Sequence, residues 1–347
     1  MHKKDKFTDN IYKASQIKSL SEQEKIRENI YIRPGMFFGK TDERGVEQFI
    51  YELVANGIDR FVVGKATFIK VQLEGNTITV SDDGDGLPFD EQTGRKRSLA
   101  TQFLTEVHFT PSGDAHNPHI HLVGLGLGAA CLNIASSFFE VESWRNGSLW
   151  RQTFVKGRPR QEATIIKKGT GKGTTIRLTP HFDIFGNCQP RTAVVRKVLF
   201  EVAHLFAGLK VHFQEECFFA PEGLKMLGSI LIDRAVAYEV DREPFYAKLK
   251  YEDIEIEAAA FDDNSTQEKI LSWVNGVRTV DLGSHVAGFQ AALHSINWNP
   301  QIIFIHVIMH NPCYAAPIKT KLDVPEVEKK IKQALKEPLQ EYYSLSQ

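Results

Sequence analysis

The chain has 347 residues, of which 42% are apolar and 24% charged, and its formal net charge is −1. This length and composition are typical of a soluble globular protein with room for two domains, and the balanced charge excludes any global sign of nucleic-acid binding. No apolar run reaches the roughly 18 residues that a membrane span needs, and the basic N-terminus lacks the apolar core of a secretory signal. The four cysteines form no CxxC pair, which argues against a zinc site or a disulfide framework and fits a reducing cytoplasm.

The first 22 residues are predicted to form an extended arm. They are polar and hold only isolated apolar residues, among them Tyr12 and Ile17. A disordered tail is the alternative for such a terminus. A short helix is then predicted over residues 21–29 with Ser21 as its N-cap, because a serine hydroxyl can accept a hydrogen bond from an N–H of the first helical turn.

A helix predicted from about Arg44 to Val63 has two different faces. Apolar residues recur along one face at helical spacing, and Glu52, Asn56 and Asp59 share the other, because they stand four and then three residues apart. A carboxylate in such a position can take a proton from water, and an amide oxygen can ligate a hard cation. A solvated polar face is the alternative for this pattern taken alone.

A β-hairpin is predicted over residues 68–81, and its second strand leads into the run SDDGDGLP. Asp82 stands at the end of that strand, and Gly84 and Gly86 permit a tight backbone path beside a ligand. The run also resembles part of a calcium loop. That interpretation needs flanking helices, whereas the preceding residues form a strand pattern.

Residues 108–123 show no regular pattern and carry His108, His116, His119 and His121. A glycine loop follows, and then a helix of small apolar residues is predicted over 129–135. Such a loop offers free backbone N–H groups to a phosphate at the start of a helix. No βαβ unit surrounds it, so it is not a Rossmann site. A metal site at His119 and His121 is an alternative, and so is a role for His119 in place of a lysine.

The remaining pattern predicts an α+β sandwich followed by a second domain. A hairpin around Asn146 and Gly147 and a strand over 172–178 complete an antiparallel sheet that ends near Phe185. A second domain is predicted from about Arg191. Its predicted elements are a helix over 192–206, strands over 210–214, 245–251, 254–260, 271–275 and 302–309, a helix over 283–294, and a C-terminal helix from Pro325 that should end or kink before Pro338.

Four motifs stand in a fixed order along the chain: ELVANGID, SDDGDGLP, VGLGLG and GKGTTIRL. This order resembles the GHKL ATPase superfamily, which includes gyrase, heat-shock chaperones, histidine kinases and MutL. Within it, the chain resembles the ATPase half of gyrase B and topoisomerase IV B, of the type IIA topoisomerase family. Residues 33–39 are similar to that family's RPGMYIG, residues 273–289 to its transducer segment, and residues 318–322 to its QTKxKL loop.

The resemblance implies an α+β fold with two domains. A GHKL (Bergerat) ATP-binding α/β sandwich is expected over residues 23–188, after an N-terminal dimerisation arm at 1–22. A ribosomal protein S5 domain 2-like transducer domain with a C-terminal helix is expected over 189–347. The cofactors that this fold implies are ATP and Mg2+.

The same resemblance assigns roles to individual residues. Glu52 matches the general base for the attacking water, and Lys319 matches the transducer lysine that reaches the γ-phosphate. Asn56 matches the Mg2+ ligand. Asp82 matches the acceptor of the adenine amine, which Thr174 supports through a shared water. The other expected cofactor contacts are Asp59, Gly86, Gly124, Gly126, Gly128 and Arg145.

The sequence departs from the family's pattern at several positions. An aspartate, a histidine, a glutamine and a threonine of the family are replaced by Ala55, Leu125, Pro317 and Ile318. At the adenine rim, the family's glutamate and arginine are exchanged in sign and stand here as Arg60 and Asp85. We expect these two side chains to form an ion pair of reversed polarity.

The first hypothesis for function is an ATP-operated homodimer clamp. ATP binding is expected to close two copies of the chain through arms in which Tyr12 and Ile17 grip the partner, and hydrolysis is expected to reopen them. We expect no cleavage domain after the transducer, so cutting of DNA is expected to need a separate cleavage or effector protein. DNA binding would need a basic channel, and Arg191, Arg196 and Lys197 are the candidates.

Three alternatives stay open. The chain is an ATP-dependent scaffold or switch in a non-topoisomerase complex for defence or repair, or it is a MutL-like repair clamp, or it holds ATP without hydrolysing it. Turnover of ATP with and without DNA separates these hypotheses, because fold analogy alone does not.

Overall fold

The structure is a computed structural model that describes residues 21–92, 97–107, 119–122, 127–231, 243–262, 268–316 and 319–345. The expected arm with Tyr12 and Ile17 lies outside these residues, as do Gly124 and Gly126 of the glycine loop. None of the described helices is long and apolar enough to cross a membrane.

The first part of the chain combines helices with one large sheet. Its helices are α1 (Glu22–Ile32), α2 (Gly35–Phe38), α3 (Glu43–Val62), α4 (Leu99–Thr105), α5 (Gly128–Ile134), α6 (Phe182–Phe185) and α7 (Thr192–Leu205). Its strands are β1 (Phe68–Glu74), β2 (Thr77–Asp82), β3 (Ser136–Arg145), β4 (Ser148–Val155), β5 (Arg158–Pro159), β6 (Thr164–Lys168), β7 (Thr174–Pro180), β8 (Lys210–Phe213) and β9 (Glu216–Phe218). Among the described residues these nine strands form a sheet in the order β5-β4-β3-β7-β2-β1-β8-β9, with β6 also paired to β4.

The described residues of the second part of the chain form a smaller sheet and three helices. Its helices are α8 (Gly223–Leu231), α9 (Ser284–His294) and α10 (Pro325–Leu345), and its strands are β10 (Phe245–Tyr251), β11 (Ile254–Phe261), β12 (Lys269–Val274), β13 (Val277–Arg278) and β14 (Ile302–Met309). The described strands follow the order β10-β11-β14-β12-β13. The two parts together are the mixed α+β fold that the sequence predicts.

Helix α3 is organised as the sequence pattern predicts. Asp42 caps it, since its carboxylate accepts a hydrogen bond from Arg44 N at 3.0 Å. The apolar residues Phe49, Leu53 and Ile58 are almost fully buried in the core of the first sheet. Burial of this stripe fixes the rotation of the helix, so the polar face with Glu52 is held in one direction.

Two predicted hairpins are confirmed, and they set the register around Asp82. The turn between β3 and β4 has positive φ at both Asn146 (47°) and Gly147 (72°), as a tight two-residue hairpin requires. The antiparallel ladders then place Asp82, at the end of β2, opposite Thr174 on β7. Thr174 in turn lies opposite Ser143 on β3. Three residues that are far apart in sequence therefore form one polar row across the neighbouring strands β2, β7 and β3, near the end of β2.

The first sheet continues beyond the boundary expected at residues 188 and 189. Strand β8 pairs in parallel with β1, and β9 follows it as the sheet edge. The apolar core of this sheet also includes Trp273 and Phe304 from the second sheet. The junction between the two parts of the chain is therefore packed with apolar side chains. A displacement of one part would strain the packing of the other, because such cores have little free volume.

Of the two outcomes predicted for the C-terminal helix at Pro338, an end or a kink, the end is wrong. Helix α10 runs through Pro338 to Leu345. Its apolar stripe continues on both sides of the proline, because Leu335 and Leu339 are fully buried in the second core. Tertiary packing of this stripe therefore outweighs the hydrogen bond that a proline cannot donate.

Candidate active site

Glu52 lies on the inner part of the polar face of α3. Its side chain is only 7% exposed, and Gly128 N donates a hydrogen bond to Oε2 at 3.2 Å. Gly128 has φ +71°, a backbone conformation that side chains other than glycine rarely adopt, although a Cβ there would meet no atom within 4 Å. The glycine is thus required by the path of the chain, and this path aims the first N–H of α5 at the Glu52 carboxylate.

Asn56 and Asp59 follow Glu52 along the same face but differ in their contacts. Within the described part of the chain, the half-buried Asn56 side chain makes no hydrogen bond, so its amide oxygen is available to a ligand. The Asp59 carboxylate accepts from Ile120 N at 2.8 Å and lies 3.6 Å from His119 Nδ1. Asp59 therefore holds the segment 119–122 against α3.

Asp82 is brought against α3 by the absence of a side chain at Gly57. A Cβ on Gly57 would lie 2.9 Å from the Ile69 side chain and 3.6 Å from Asp82 Cβ, so the helix and the strand end touch directly. Burial raises the pKa of Asp82 to about 6, and the N–H groups of Gly84 and Thr174 oppose this shift by donating to the carboxylate. The Gly84 bond is 2.8 Å long.

A hydroxyl network lies next to Asp82. The hydroxyls of Thr174 and Ser143 are 3.1 Å apart, and Leu87 N donates to Ser143 Oγ at 2.7 Å. The loop can approach because Gly86 (φ +75°) has no side chain: a Cβ there would lie 1.9 Å from Trp144 O. Ser143 was not among the residues predicted from the sequence. A single serine in a strand does not indicate a binding site in the sequence. Its position becomes informative only when the strand pairing places it opposite Thr174.

Two arginines lie at the outer edge of this pocket. Arg60 Nη1 is 4.0 Å from Asp85 Oδ1, so the predicted ion pair of reversed polarity is confirmed, at the long end of ion-pair distances. Arg145 lies 3.3 Å from Asp90 Oδ1 and 2.5 Å from Glu91 Oε1. The charge of Arg145 is therefore largely satisfied by the protein itself.

Lys319 reaches the Glu52 region from the second part of the chain. It lies in the loop before α10 with φ +58°. Burial lowers the pKa of Lys319, and the negative charge of Glu52 opposes this effect. His121 shares the same surroundings, because burial and then the charge of Lys319 lower its pKa to about 4. His121 is therefore neutral at pH 7. The ammonium group, the carboxylate and the imidazole come from three separate stretches of sequence.

The side-chain oxygen of Asn56 would fit a hard divalent cation whose other ligands are the phosphates of a bound nucleotide and water. An amide oxygen is a suitable Mg2+ ligand when phosphates and waters complete the coordination. Among the described residues, no group of three or more His, Cys, Asp and Glu side chains is arranged to hold a metal by itself. His119 contacts Asp59 in this structure.

Comparison with known proteins gives concordant matches. A family model described as "Histidine kinase-, DNA gyrase B-, and HSP90-like ATPase" matches residues 41–184. DNA gyrase B of Streptococcus pyogenes serotype M18 is 33% identical over 297 residues, which cover 81% of this chain and 44% of that protein. The B component of DNA topoisomerase 4 from Mycoplasma genitalium is 31% identical over 295 residues, which cover 82% of this chain and 45% of that protein. The chain thus spans less than half the length of these curated relatives.

A solved structure extends the similarity over most of the chain. The 43K ATPase domain of Thermus thermophilus gyrase B, determined in complex with an aminocoumarin, matches with a TM-score of 0.77 at 26% identity. The match covers 92% of this chain and 90% of that one, so it includes both sheets.

Proposed function

Because the chain belongs, through residues 41–184, to the family of histidine kinase-, DNA gyrase B- and HSP90-like ATPases, we propose that it binds ATP with Mg2+ beside α3 and hydrolyses it. The observations that carry this proposal are the burial of Glu52, whose carboxylate accepts from Gly128 N at 3.2 Å, and the position of Lys319, which comes from the second part of the chain to within range of the Glu52 charge. A buried carboxylate near a half-buried ammonium group is suited to a reaction in which a proton leaves water while negative charge grows on a phosphate.

Glu52 is the general base in this proposal. Its carboxylate accepts the proton of the attacking water, and the Gly128 N–H holds one carboxylate oxygen in place. Lys319 donates to the γ-phosphate and stabilises the charge that develops there. When bound, Mg2+ supplies charge neutralisation to the phosphates, and Asn56 is the residue that would hold it.

Asp82 is the residue proposed to recognise adenine. Its ionised carboxylate accepts a hydrogen bond from the exocyclic amine. Thr174 lies opposite Asp82 on the next strand, and its hydroxyl is hydrogen-bonded to that of Ser143. Gly86 lets the backbone approach the ring, and Gly124, Gly126 and Gly128 are proposed to contact the phosphates. Arg60 and Arg145 are proposed to form the rim, each facing acidic neighbours.

The proposal is tested by measuring ATP turnover of the wild-type chain and of Glu52→Gln. The substitution keeps the size of the side chain and a hydrogen-bond acceptor but removes the base. Turnover is expected to fall by about 100-fold or more, while the affinity for a non-hydrolysable analogue stays within about threefold. Equal turnover in both proteins, or no binding of the analogue to either, would contradict the proposal.

We further propose that this ATPase acts as a homodimer clamp. The similarity to DNA gyrase B supports this proposal, which also includes the expected arm contacts of Tyr12 and Ile17. In a clamp, mass in solution should double with a non-hydrolysable analogue and return to the monomer value without it. DNA and a separate cleavage protein are the partners that such a clamp would serve.

One observation favours a second candidate function, an ATP-dependent switch that does not handle DNA. Arg191 is held by Glu47 through two bonds of 2.8 Å, and Arg196 is held by Glu216 at 2.6–2.9 Å. Two of the three cations expected to line a basic channel are therefore neutralised within the chain. Stimulation of ATP turnover by linear duplex DNA favours the clamp on DNA, and turnover that ignores DNA at low salt favours the switch.

A further inference from the structure

Residues 119–122 form a short segment that both domains hold. On one side, Asp59 of α3 accepts from Ile120 N at 2.8 Å. On the other side, Asn275 Nδ2 donates to His119 O at 3.2 Å, and His121 N donates to Asn275 O at 2.9 Å. Three consecutive residues thus connect the polar face of α3 with the turn between β12 and β13.

Asn275 is itself fixed to the second sheet. It is 2% exposed and has φ 49°, and its Oδ1 accepts from Met309 N at 2.8 Å. Its Nδ2 also donates to Met309 O at 2.8 Å. Both donors of the amide are therefore used, one within the second sheet and one on His119, and an isosteric side chain without the amide donors loses both contacts.

The neighbouring Gly276 brings the turn into close contact with the same segment. A Cβ on Gly276 would lie 2.8 Å from His121 O and 3.2 Å from Ile120 Cγ2. Gly276 N donates to His306 Nε2 at 3.2 Å, and His306 Nδ1 donates to Leu205 O at 3.2 Å. Burial lowers the pKa of His306 to about 4, so the ring stays neutral and keeps both bonds at pH 7.

Residues on either side of this turn also contact the loop that carries Lys319. Tyr314 OH donates to Val274 O at 3.4 Å, directly before Asn275. Asp281 N donates to Thr320 O at 2.9 Å, directly after Lys319. The β12–β13 hairpin is therefore bonded to the segment 119–122 through its turn, and to the Lys319 loop through Val274 before the turn and Asp281 after β13.

We propose that Asn275 is a positioning residue for hydrolysis: it locks residues 119–121 to the second domain, and thereby sets the distance between Lys319 and Glu52. The inference rests on the proposed ATPase function and adds to it the part of the second domain that fixes the site. Asn275 touches no substrate in this account. It acts through the segment 119–121 and through Lys319.

The test compares Asn275→Asp with the matched control Asn297→Asp. The first substitution keeps the Oδ1 acceptor and the tolerated left-handed backbone but removes both donors. Asn297 is also a left-handed asparagine of the second domain, with φ 54°, and it is exposed. Asn275→Asp is expected to lower kcat about tenfold or more and to change the KM for ATP less than about threefold, because Lys319 stabilises the charge that develops in the transition state more strongly than the γ-phosphate of bound ATP.

Two further measurements separate positioning from general damage. In the Lys319→Ala background, Asn275→Asp should lower kcat by less than about twofold, since both changes affect the same interaction. Hydrogen exchange of peptides that contain residues 119–122 should accelerate in Asn275→Asp and stay unchanged in Asn297→Asp. An additive loss of kcat in the double variant, or equal exchange in the two single variants, overturns the proposal.

A second variant covers the case in which a buried aspartate prevents folding. Gly276→Ala introduces no charge and pushes on His121 O, so it should give the same selective loss of kcat and the same faster exchange. Normal kcat and normal exchange in Gly276→Ala would overturn the proposal. If the wild-type chain does not hydrolyse ATP, the ATPase proposal fails, but the exchange experiment still decides whether Asn275 holds the segment.

Discussion

Lowering the pH should weaken ATP binding through Asp82, and the size of this effect follows from its surroundings. Burial raises the pKa of Asp82 from 3.8 to about 6 in the folded chain. The adenine amine binds the ionised carboxylate much more strongly than the neutral acid, so the affinity is highest well above pH ~6 and falls as the pH drops through that value. At about pH 5 the ionised fraction is roughly one tenth, so the affinity should be about tenfold lower than at pH ~8.

The same shift predicts the effect of Asp82 on stability without ligand. Because the folded pKa is raised, ionised Asp82 destabilises the fold above pH ~6, and this cost is absent below the unfolded value near 3.8. A shift of about two pKa units corresponds to about 3 kcal/mol. Asp82→Asn removes the charge but also one acceptor, so the free energy of unfolding should rise by about 1–3 kcal/mol at pH ~8 and by close to zero at pH ~4.

The assay is calorimetric titration of a non-hydrolysable ATP analogue across this pH range. Phosphate groups of the ligand also titrate near pH ~6.5, so wild type and Asp82→Asn are measured in parallel and the difference between the two profiles is used. Asp82→Asn should bind about 10-fold or more weakly at pH ~8, because a hydrogen bond to a charged acceptor is lost. The affinity of Asp82→Asn should depend on pH only through the titration of the ligand's phosphate groups.

Identical pH profiles for the two proteins would refute the reasoning, because Asp82 would then contribute no proton to the binding equilibrium. The same conclusion would follow if Asp82→Asn bound the analogue as tightly as wild type at pH ~8. Loss of stability in Asp82→Asn at pH ~8 would contradict the assigned cause of the pKa shift.

Two further substitutions test the geometry around the pocket. Gly173→Ala should lower both the affinity for ATP and the free energy of unfolding, the latter by at least about 2 kcal/mol, because a Cβ there would lie 1.9 Å from Asp82 O at φ +93°. The control Gly75→Ala, with φ +58° and no atom within 4 Å of the added Cβ, should cost about 1 kcal/mol in thermal unfolding and leave affinity unchanged. Arg60→Glu should lower the free energy of unfolding by less than about 1 kcal/mol, and Arg60→Glu with Asp85→Arg should recover it, because the pair is partly exposed at 4.0 Å. No recovery in the double variant would mean that the two charges do not interact.

Local patterns in the sequence were sufficient to predict α3 and the main hairpins. The helical spacing of Glu52, Asn56 and Asp59 fixes them to one face, whatever the helix packs against. The turn at Asn146 and Gly147 requires positive φ at both positions, and few residues tolerate that. These features depend on neighbours within a few residues, so the sequence alone defines them.

Long-range contacts were not predictable in the same way. Ser143 joins the site because three strands align in one register, and His121 joins it because both domains close around residues 119–122. The extension of the first sheet by β8 depends on a parallel pairing with β1, for which no local pattern exists. The passage of α10 through Pro338 likewise depends on what the helix packs against.

A structure of the chain with a bound non-hydrolysable ATP analogue and Mg2+ would show whether the proposed residues surround the nucleotide. We expect adenine beside Asp82, the cation at the Asn56 amide oxygen, and the γ-phosphate between Glu52 and Lys319, within hydrogen-bond distance of the lysine. A triphosphate bound away from Glu52, or one whose γ-phosphate leaves Lys319 without contact, would contradict this expectation.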